Sequence, residues 1–282
     1  MTKIIFITGT DTGVGKTLFT ALLLTHLRNV TPRTRVMKPF CTGDRGDVEL
    51  FGTLLEGELP NDLINPFYFP EPVAPLLAAR NLQVTVEFKE VLERIRLAQS
   101  GSDFLLIEGA GGLLSPLGEG YTAADLIQSL HCPVIVVARN RLGVINHVLL
   151  TVNMLALLGI SHIKVVLMGC RDPDVSAPTN GWMLSELLGF GEVLSLPFFG
   201  EKADKVKAVK RNAKKSEKVL ARTANFDTFS TAFDKPDELS LAVSSTQQSR
   251  ASKSTCTDER TSWNVRGFEG GSKSRQKKLL TV

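Results

Sequence analysis

The sequence predicts an α/β fold: a mostly parallel sheet with helices on both faces, in three layers, followed by a tail of different character. Three observations predict it. Short unbroken apolar runs recur through residues 1–200, among them Ile4-Ile5-Phe6-Ile7, Phe104-Leu105-Leu106-Ile107 and Pro133-Val134-Ile135-Val136-Val137-Ala138. Runs of this kind belong to parallel strands buried on both faces. Segments with helical spacing separate them, and strand–helix alternation without an internal repeat builds a sheet with crossover helices. Glycine-rich turns close two of the runs, at Gly9 to Thr17 and at Glu108 to Gly112, at the strand ends where open α/β sheets hold ligands.

Taken in order, the first strand at Ile4–Ile7 gives way to a helix that opens at Leu18-Phe19-Thr20-Ala21-Leu22-Leu23-Leu24. Thr34-Arg35-Val36-Met37 reads as a second strand, ending at Lys38-Pro39 and a polar loop, Phe40-Cys41-Thr42-Gly43-Asp44-Arg45-Gly46-Asp47. A short helix follows from Asp47, with Val48, Leu50, Phe51, Leu54 and Leu55 at helical spacing. Residues 60–75, rich in proline and aromatics, predict an extended crossing of the surface. Helices are expected near 74–80 and 86–99, then the strand at 104–107, the strand at 133–138 and an amphipathic helix from Val144 to Leu158. Lys164-Val165-Val166-Leu167-Met168 and Glu192-Val193-Leu194-Ser195-Leu196 are the last strands, and Lys205 to Arg222 has helical composition.

At 282 residues and 43% hydrophobic, the chain can bury a real core, as one large domain or one domain with an extension. No apolar run approaches the ~18 residues that span a membrane, and the first strand starts too early for a signal peptide. Four scattered cysteines, Cys41, Cys132, Cys170 and Cys256, argue against a disulfide framework or a zinc site and suit a reducing cytoplasm. Residues 1–200 carry 15 basic and 19 acidic side chains, a net −4, whereas residues 201–282 carry 18 and 10, a net +8. The basic pI of about 8.9 therefore belongs to the tail and does not mark the domain as a nucleic-acid binder. The division expected is an α/β domain over 1–225 and a Ser/Thr-rich basic tail over 226–282, read as disordered from its composition.

Gly9-Thr10-Asp11-Thr12-Gly13-Val14-Gly15-Lys16-Thr17 stands between the first strand and the first helix. That is the context of a phosphate-binding loop. Its backbone N–H groups, including those of Gly13, Val14 and Gly15, can converge on a phosphate at the positive end of the helix dipole. Lys16 adds a cation for the terminal phosphates, and the Thr17 hydroxyl can ligate Mg²⁺. Five residues separate Gly9 from Gly15, one more than in the common pattern. Three further features fall at strand ends on the same edge. Lys38 leads to Thr42-Gly43, a hydroxyl and a flexible backbone beside the phosphates. Asp47 either caps its helix or ligates Mg²⁺. Glu108, before Gly109-Ala110-Gly111-Gly112, stands where phosphate-loop enzymes place an acidic metal partner. Thr17, Asp47 and Glu108 would supply three hard oxygens. Leu142-Gly143-Val144-Ile145-Asn146-His147 opens a helix whose free N–H groups can take a carboxylate, or is an ordinary cap.

Together these motifs resemble the dethiobiotin synthetases, the ATP-dependent carboxylases of biotin synthesis. The family's loop, Gly-Thr-Asp-Thr-x-Val-Gly-Lys-Thr, has the same five-residue spacing. The resemblance continues through Lys38-Pro39 with Thr42-Gly43, through Glu108 to Gly112 and through Leu142-Gly143-x-Ile145-Asn146-His147, in order over about residues 1–200. It implies a cytoplasmic homodimer that uses Mg²⁺ and converts 7,8-diaminopelargonate, CO₂ and ATP into dethiobiotin, ADP and phosphate. It also implies roles. Thr12, Lys16 and Lys38 serve the reacting groups, and Gly13 to Thr17 hold the nucleotide. Thr42, Gly111 and Gly112 meet the substrate, and Val144, Ile145 and Asn146 receive its distant carboxylate from the other subunit. Thr17, Asp47 and Glu108 hold the metal. The chain departs from the family in carrying Gly13 where some members have Glu. It also has Met168-Gly169-Cys170-Arg171-Asp172 where an Asn usually reads adenine. Partitioning ATPases of the deviant Walker type place a lysine where this chain has Asp11. GTPases carry an Asn-Lys-x-Asp reader absent here. An inactive nucleotide-binding module is the third alternative, against which Lys16, Thr17, Lys38 and Glu108 speak.

Overall fold

The computed structural model describes residues 2–189 and 193–226. Glu192 of the last expected strand, and the tail beyond 226, lie outside them. The chain begins β1 (Lys3–Gly9), α1 (Lys16–Val30), β2 (Thr34–Met37), β3 (Phe40–Thr42), α2 (Gly46–Leu54), α3 (Asn61–Ile64) and β4 (Phe67–Phe69). It continues with α4 (Pro75–Asn81), α5 (Phe88–Gln99), β5 (Phe104–Glu108), β6 (Pro116–Gly118), β7 (Tyr121–Thr122), α6 (Ala123–Leu130) and β8 (Val134–Arg139). Then come α7 (Val144–Leu157), β9 (Ile163–Met168), α8 (Ala177–Leu188), β10 (Leu194–Leu196), α9 (Val206–Lys215) and α10 (Glu217–Ala224).

Six strands form one parallel sheet in the order β10-β9-β8-β1-β5-β2. The central strands β8, β1 and β5 must satisfy two hydrophobic layers, which is why their apolar runs are continuous. On one side Ile5, Ile7, Leu106, Ile135 and Val166 pack with Phe19, Leu22 and Leu23 of α1 and with Val209 and Leu220 of α9 and α10. On the other, Phe6, Leu105, Ile107, Val136 and Val165 pack with Val91 and Ile95 of α5, Ile127 of α6, Val148 and Val152 of α7 and Leu184 of α8. Each such side chain contributes on the order of 1.5–3 kcal/mol when fully buried.

The chain leaves β1 through α1 and returns at β2 on the far side of the place that β5 later fills, while β8 comes to the opposite side of β1. The strand order thus reverses around β1, and a crevice opens at the carboxyl ends of the strands on either side. Register does the rest. Ile7 lies opposite Glu108 and Met37 opposite Ile107, so the loop after β1, the last residue of β5 and Lys38 after β2 meet at one edge.

Several segments differ from the expectation, among them α6 and α8, helices that the sequence reading leaves out. Phe40–Thr42 is a strand, paired in parallel with β4 in a separate small sheet. Residues 60–75 therefore do not cross the surface in extended form: Ile64, Phe67 and Phe69 are buried, and Phe40 and Phe67 stack at 5.1 Å. Burial of three aromatics outweighs the polar, Gly- and Pro-rich composition around them. The helical stretch expected over 205–222 is two helices, broken at Ser216.

Candidate active site

The loop after β1 is held open by backbone conformations that side chains avoid. Gly15 has φ +101° and its missing Cβ would press on Met168, so glycine alone fits there without strain. The side chain of Val14 is buried beneath the loop and fixes it to the core. Lys16 begins α1 and folds back, its Nζ donating to the Asp11 carbonyl at 2.7 Å. Burial brings the Lys16 ammonium down to about 8, against the opposing pull of Glu108, Asp11 and Asp47 and with the help of Lys38.

Glu108 is fully buried at the end of β5. Its Oε1 accepts the Thr17 hydroxyl at 2.9 Å and the Lys38 ammonium at 2.9 Å. Its Oε2 is buried and has no hydrogen-bond partner among the described residues. Lys38 also donates to Asp47 Oδ2. Burial alone would lower the Lys38 pKa, but the charges of Glu108 and Asp47 and their hydrogen bonds hold it well above the ordinary lysine value. Asp47 lies in the first turn of α2, where negative charge suits the helix dipole. It makes no capping hydrogen bond; its carboxylate is turned to Lys38 instead.

These groups line one cavity of about 570 Å³. It brings together Thr12, Gly13, Gly15, Lys16, Thr17, Lys38, Thr42, Asp47, Glu108 and Gly111 of the residues singled out in the sequence. Gly112 lines an adjoining hollow with Leu114 and Leu150. Val144, Ile145 and Asn146 lie outside the cavity, at the start of α7, which follows the left-handed Gly143. The donor set suits Mg²⁺. Thr17, Asp47 and Glu108 carry hard oxygens of the kind that ion prefers, and a buried carboxylate oxygen without a partner is one that a cation could satisfy.

Several contributors escaped the sequence reading. Pro72, Ala74, Pro75 and Ser115 complete the cavity wall, and Ser115 Oγ accepts the Gly112 N–H at 2.8 Å. Asn65 is 2% exposed, and its Nδ2 donates to the Lys38 carbonyl at 2.9 Å. The Lys38 N–H in turn bonds the Ile64 carbonyl at 2.7 Å. The segment between α3 and β4 thus clamps the backbone from which Lys38 projects. Asn65→Ala is expected to cost about 1–3 kcal/mol, as buried hydrogen-bonding groups do, and to lower turnover further by loosening Lys38. Chemical denaturation and steady-state rates measured on the same preparation test both effects. At the far end of the edge, the Asn140 Nδ2 bonds the Ala177 carbonyl and its Oδ1 accepts from Asn180, both at 2.9 Å.

A phosphate-binding loop on a parallel sheet, with a buried acid and a second lysine beside it, defines a phosphate-loop nucleotide-dependent protein. A family model described as an AAA domain matches residues 3–221. The chain is 36% identical over 190 residues to the ATP-dependent dethiobiotin synthetase BioD of Bacillus licheniformis, covering 65% of this chain and 81% of that protein. It is 38% identical over 172 residues to the protein of the same name from Methanocaldococcus jannaschii, covering 59% and 79%. Among solved structures, that of pNOB8 ParA bound to nonspecific DNA superposes with a TM-score of 0.50 at 14% identity, over 81% of this chain and all of that one, a likeness of fold alone. The chain belongs to the dethiobiotin synthetase family.

Proposed function

We propose that this protein closes the ureido ring of dethiobiotin, joining CO₂ to 7,8-diaminopelargonate at the expense of ATP. One amine adds to CO₂, losing a proton to form a carbamate. A carbamate oxygen attacks the γ-phosphorus and ADP leaves, giving a carbamic–phosphoric anhydride. The second amine attacks the carbonyl carbon, and phosphate departs. The observation that carries this reading is the meeting of Lys16 and Lys38 in one cavity with Glu108 and Thr17, in a chain of this family.

Lys16 and the loop N–H groups of Gly13, Val14 and Gly15 bind the β- and γ-phosphates, and Lys38 balances charge between carbamate and γ-phosphate. Thr12 and Thr42 donate hydrogen bonds to the reacting groups, and Gly111 and Gly112 let the diamine approach closely. Thr17, Asp47 and Glu108 hold Mg²⁺, which when bound neutralises charge on the phosphate oxygens. Pro72 to Pro75 form the cavity wall beside the reacting groups.

The start of α7 at Val144, Ile145 and Asn146 receives the distant carboxylate across a homodimer. Leu114 and Leu150, 57% and 64% exposed, border the hollow that Gly112 shares and are the apolar contacts such an interface would cover. Sedimentation is expected to give twice the chain mass, and Leu150→Asp to give a monomer; a wild-type monomer under assay conditions would remove this part. Among the described residues no helix is long and apolar enough to cross a membrane. The proposed reaction needs only small molecules, and its place would be the cytoplasm. The tail over 226–282 has no part in this chemistry. A chain ending at Phe226 is expected to keep the wild-type turnover and melting temperature, and a large fall in either would move the domain boundary.

The deciding experiment measures phosphate release from ATP with bicarbonate and Mg²⁺, with and without the diamine. Release that needs the diamine and accompanies a product of dethiobiotin's mass supports the proposal. Release independent of the diamine would point to a regulatory ATPase, and none at all to an inactive nucleotide-binding module.

A further inference from the structure

We infer that the Lys38 ammonium is the resident counter-ion of the metal-binding carboxylates and competes with a divalent cation for them, so that the site refuses the free ion and admits it together with the nucleotide. This rests on the assignment of Thr17, Asp47 and Glu108 as metal ligands under the proposed function. Three observations carry it. Lys38 bonds both acids of that ligand set at once, and it shares Glu108 Oε1 with the third ligand, Thr17. The Glu108 carboxylate is fully buried, so its ionised form needs a cation beside it, and Lys38 is the one that bonds it. The charged side chains that act on Lys16 here are Lys38, Asp11, Asp47 and Glu108, and with Lys16 itself, two positive against three negative, they sum to −1.

A divalent ion arriving alone would turn that balance to about +1 and set an ammonium against the metal. The phosphates of a nucleotide reverse that balance and give the displaced ammonium a new partner. Only the side chain need move. The Lys38 backbone is pinned by Ile64 and Asn65, and the cavity beside it, toward Thr42 and Gly111, leaves room for the ammonium to swing from the acids to the reacting phosphate. Metal entry and delivery of Lys38 to the substrates are then one event, and free metal does not lock the site in the absence of nucleotide.

The test titrates Mn²⁺ into the full chain and follows free Mn²⁺ by electron paramagnetic resonance. Without nucleotide, Lys38→Met is expected to bind Mn²⁺ at least about tenfold more tightly than wild type, since one opposing charge near the ion has gone. With a non-hydrolysable ATP analogue bound, that gain is expected to vanish. Equal affinities of variant and wild type without nucleotide would overturn the inference. So would a gain of the same size with the analogue present, which is a general charge effect. Lys38→Gln repeats the measurement should the methionine variant fail to fold. Asp47→Asn and Glu108→Gln separate the two readings: if neither weakens Mn²⁺ binding in the analogue complex, the metal-ligand assignment itself fails, whatever Lys38 does.

Discussion

Lys16→Ala is expected to lower turnover by about 10³-fold or more, the scale on which preorganised cations act on a transferring phosphoryl group, and to leave the fold in place. The loop does not depend on the lysine for its shape. Gly15 sets its left-handed turn, Val14 anchors it in the core, and α1 is held by Phe19, Leu22 and Leu23. What is lost is the cation and one bond to the Asp11 carbonyl. The ammonium is a cost to folding rather than a support. Its pKa, about 8 in the folded protein against 10.5 as its ordinary value, means that the unfolded chain binds more protons between those limits. Wild-type stability therefore rises with pH across that window, and at pH 7 the whole penalty is present. Alanine removes it, so the variant is expected to melt no lower than wild type at pH 7 and to show a flatter dependence from pH 8 upward. Phosphate release and thermal melts across this range check both halves. Retained turnover would remove Lys16 from the chemistry, and a collapsed melt at pH 7 would make it a structural residue.

The sheet was legible because burial on two faces leaves a plain mark: Phe104 to Ile107 and Val134 to Ala138 have no other reading. The loop from Gly9 to Thr17 was legible because phosphate binding demands glycines, a lysine and a hydroxyl in fixed order between strand and helix. The pairing of β2 with β5 was not, since nothing local tells Val36 that its neighbour is Leu106 rather than a residue of β1. The meeting of Lys38 with Glu108 follows from that pairing. Phe40–Thr42 lies between a proline and a glycine and is three residues long, so its pairing with β4 is a tertiary fact. Asn65 went unnoticed for the same reason. The helix α6 did carry a signal, the Thr122 and Asp125 capping box, whose two side chains bond as that motif requires. α8 carried little, for Pro178, Asn180 and Gly181 are poor helix formers; Leu184 in the core and the bonds of Asn180 to Asn140 and Ser176 hold it.

Glu108→Gln is expected to lower turnover by about 10²–10³-fold at ordinary Mg²⁺ concentration, on the scale of losing one charged group aimed at the reacting phosphate, and also to lower the melting temperature. The amide keeps the shape and can still accept from Thr17 and Lys38, so packing is nearly unchanged. The charge is what goes. Lys38, only 11% exposed at its side chain, is then balanced by Asp47 alone, which is 36% exposed. Removing one partner of a buried pair costs about 3–5 kcal/mol when nothing replaces it, and the surviving ion pair with Asp47 holds the loss below that. A metal ligand behaves differently from a mere anchor for Lys38. If Glu108 holds Mg²⁺, the variant needs more Mg²⁺ for half-maximal rate and recovers part of its turnover when Mg²⁺ is raised. If it only anchors Lys38, the Mg²⁺ requirement stays at the wild-type value while turnover and melting temperature fall together. Rates over a range of Mg²⁺ concentrations, beside melts of the same samples, separate these outcomes, and a variant unchanged in both would exclude Glu108 from the site. The orphaned Oε2 favours the first outcome: a lysine anchor uses one carboxylate oxygen, as Lys38 does here, and leaves unexplained why a second is kept buried and unpaired at the edge of a phosphate-binding cavity.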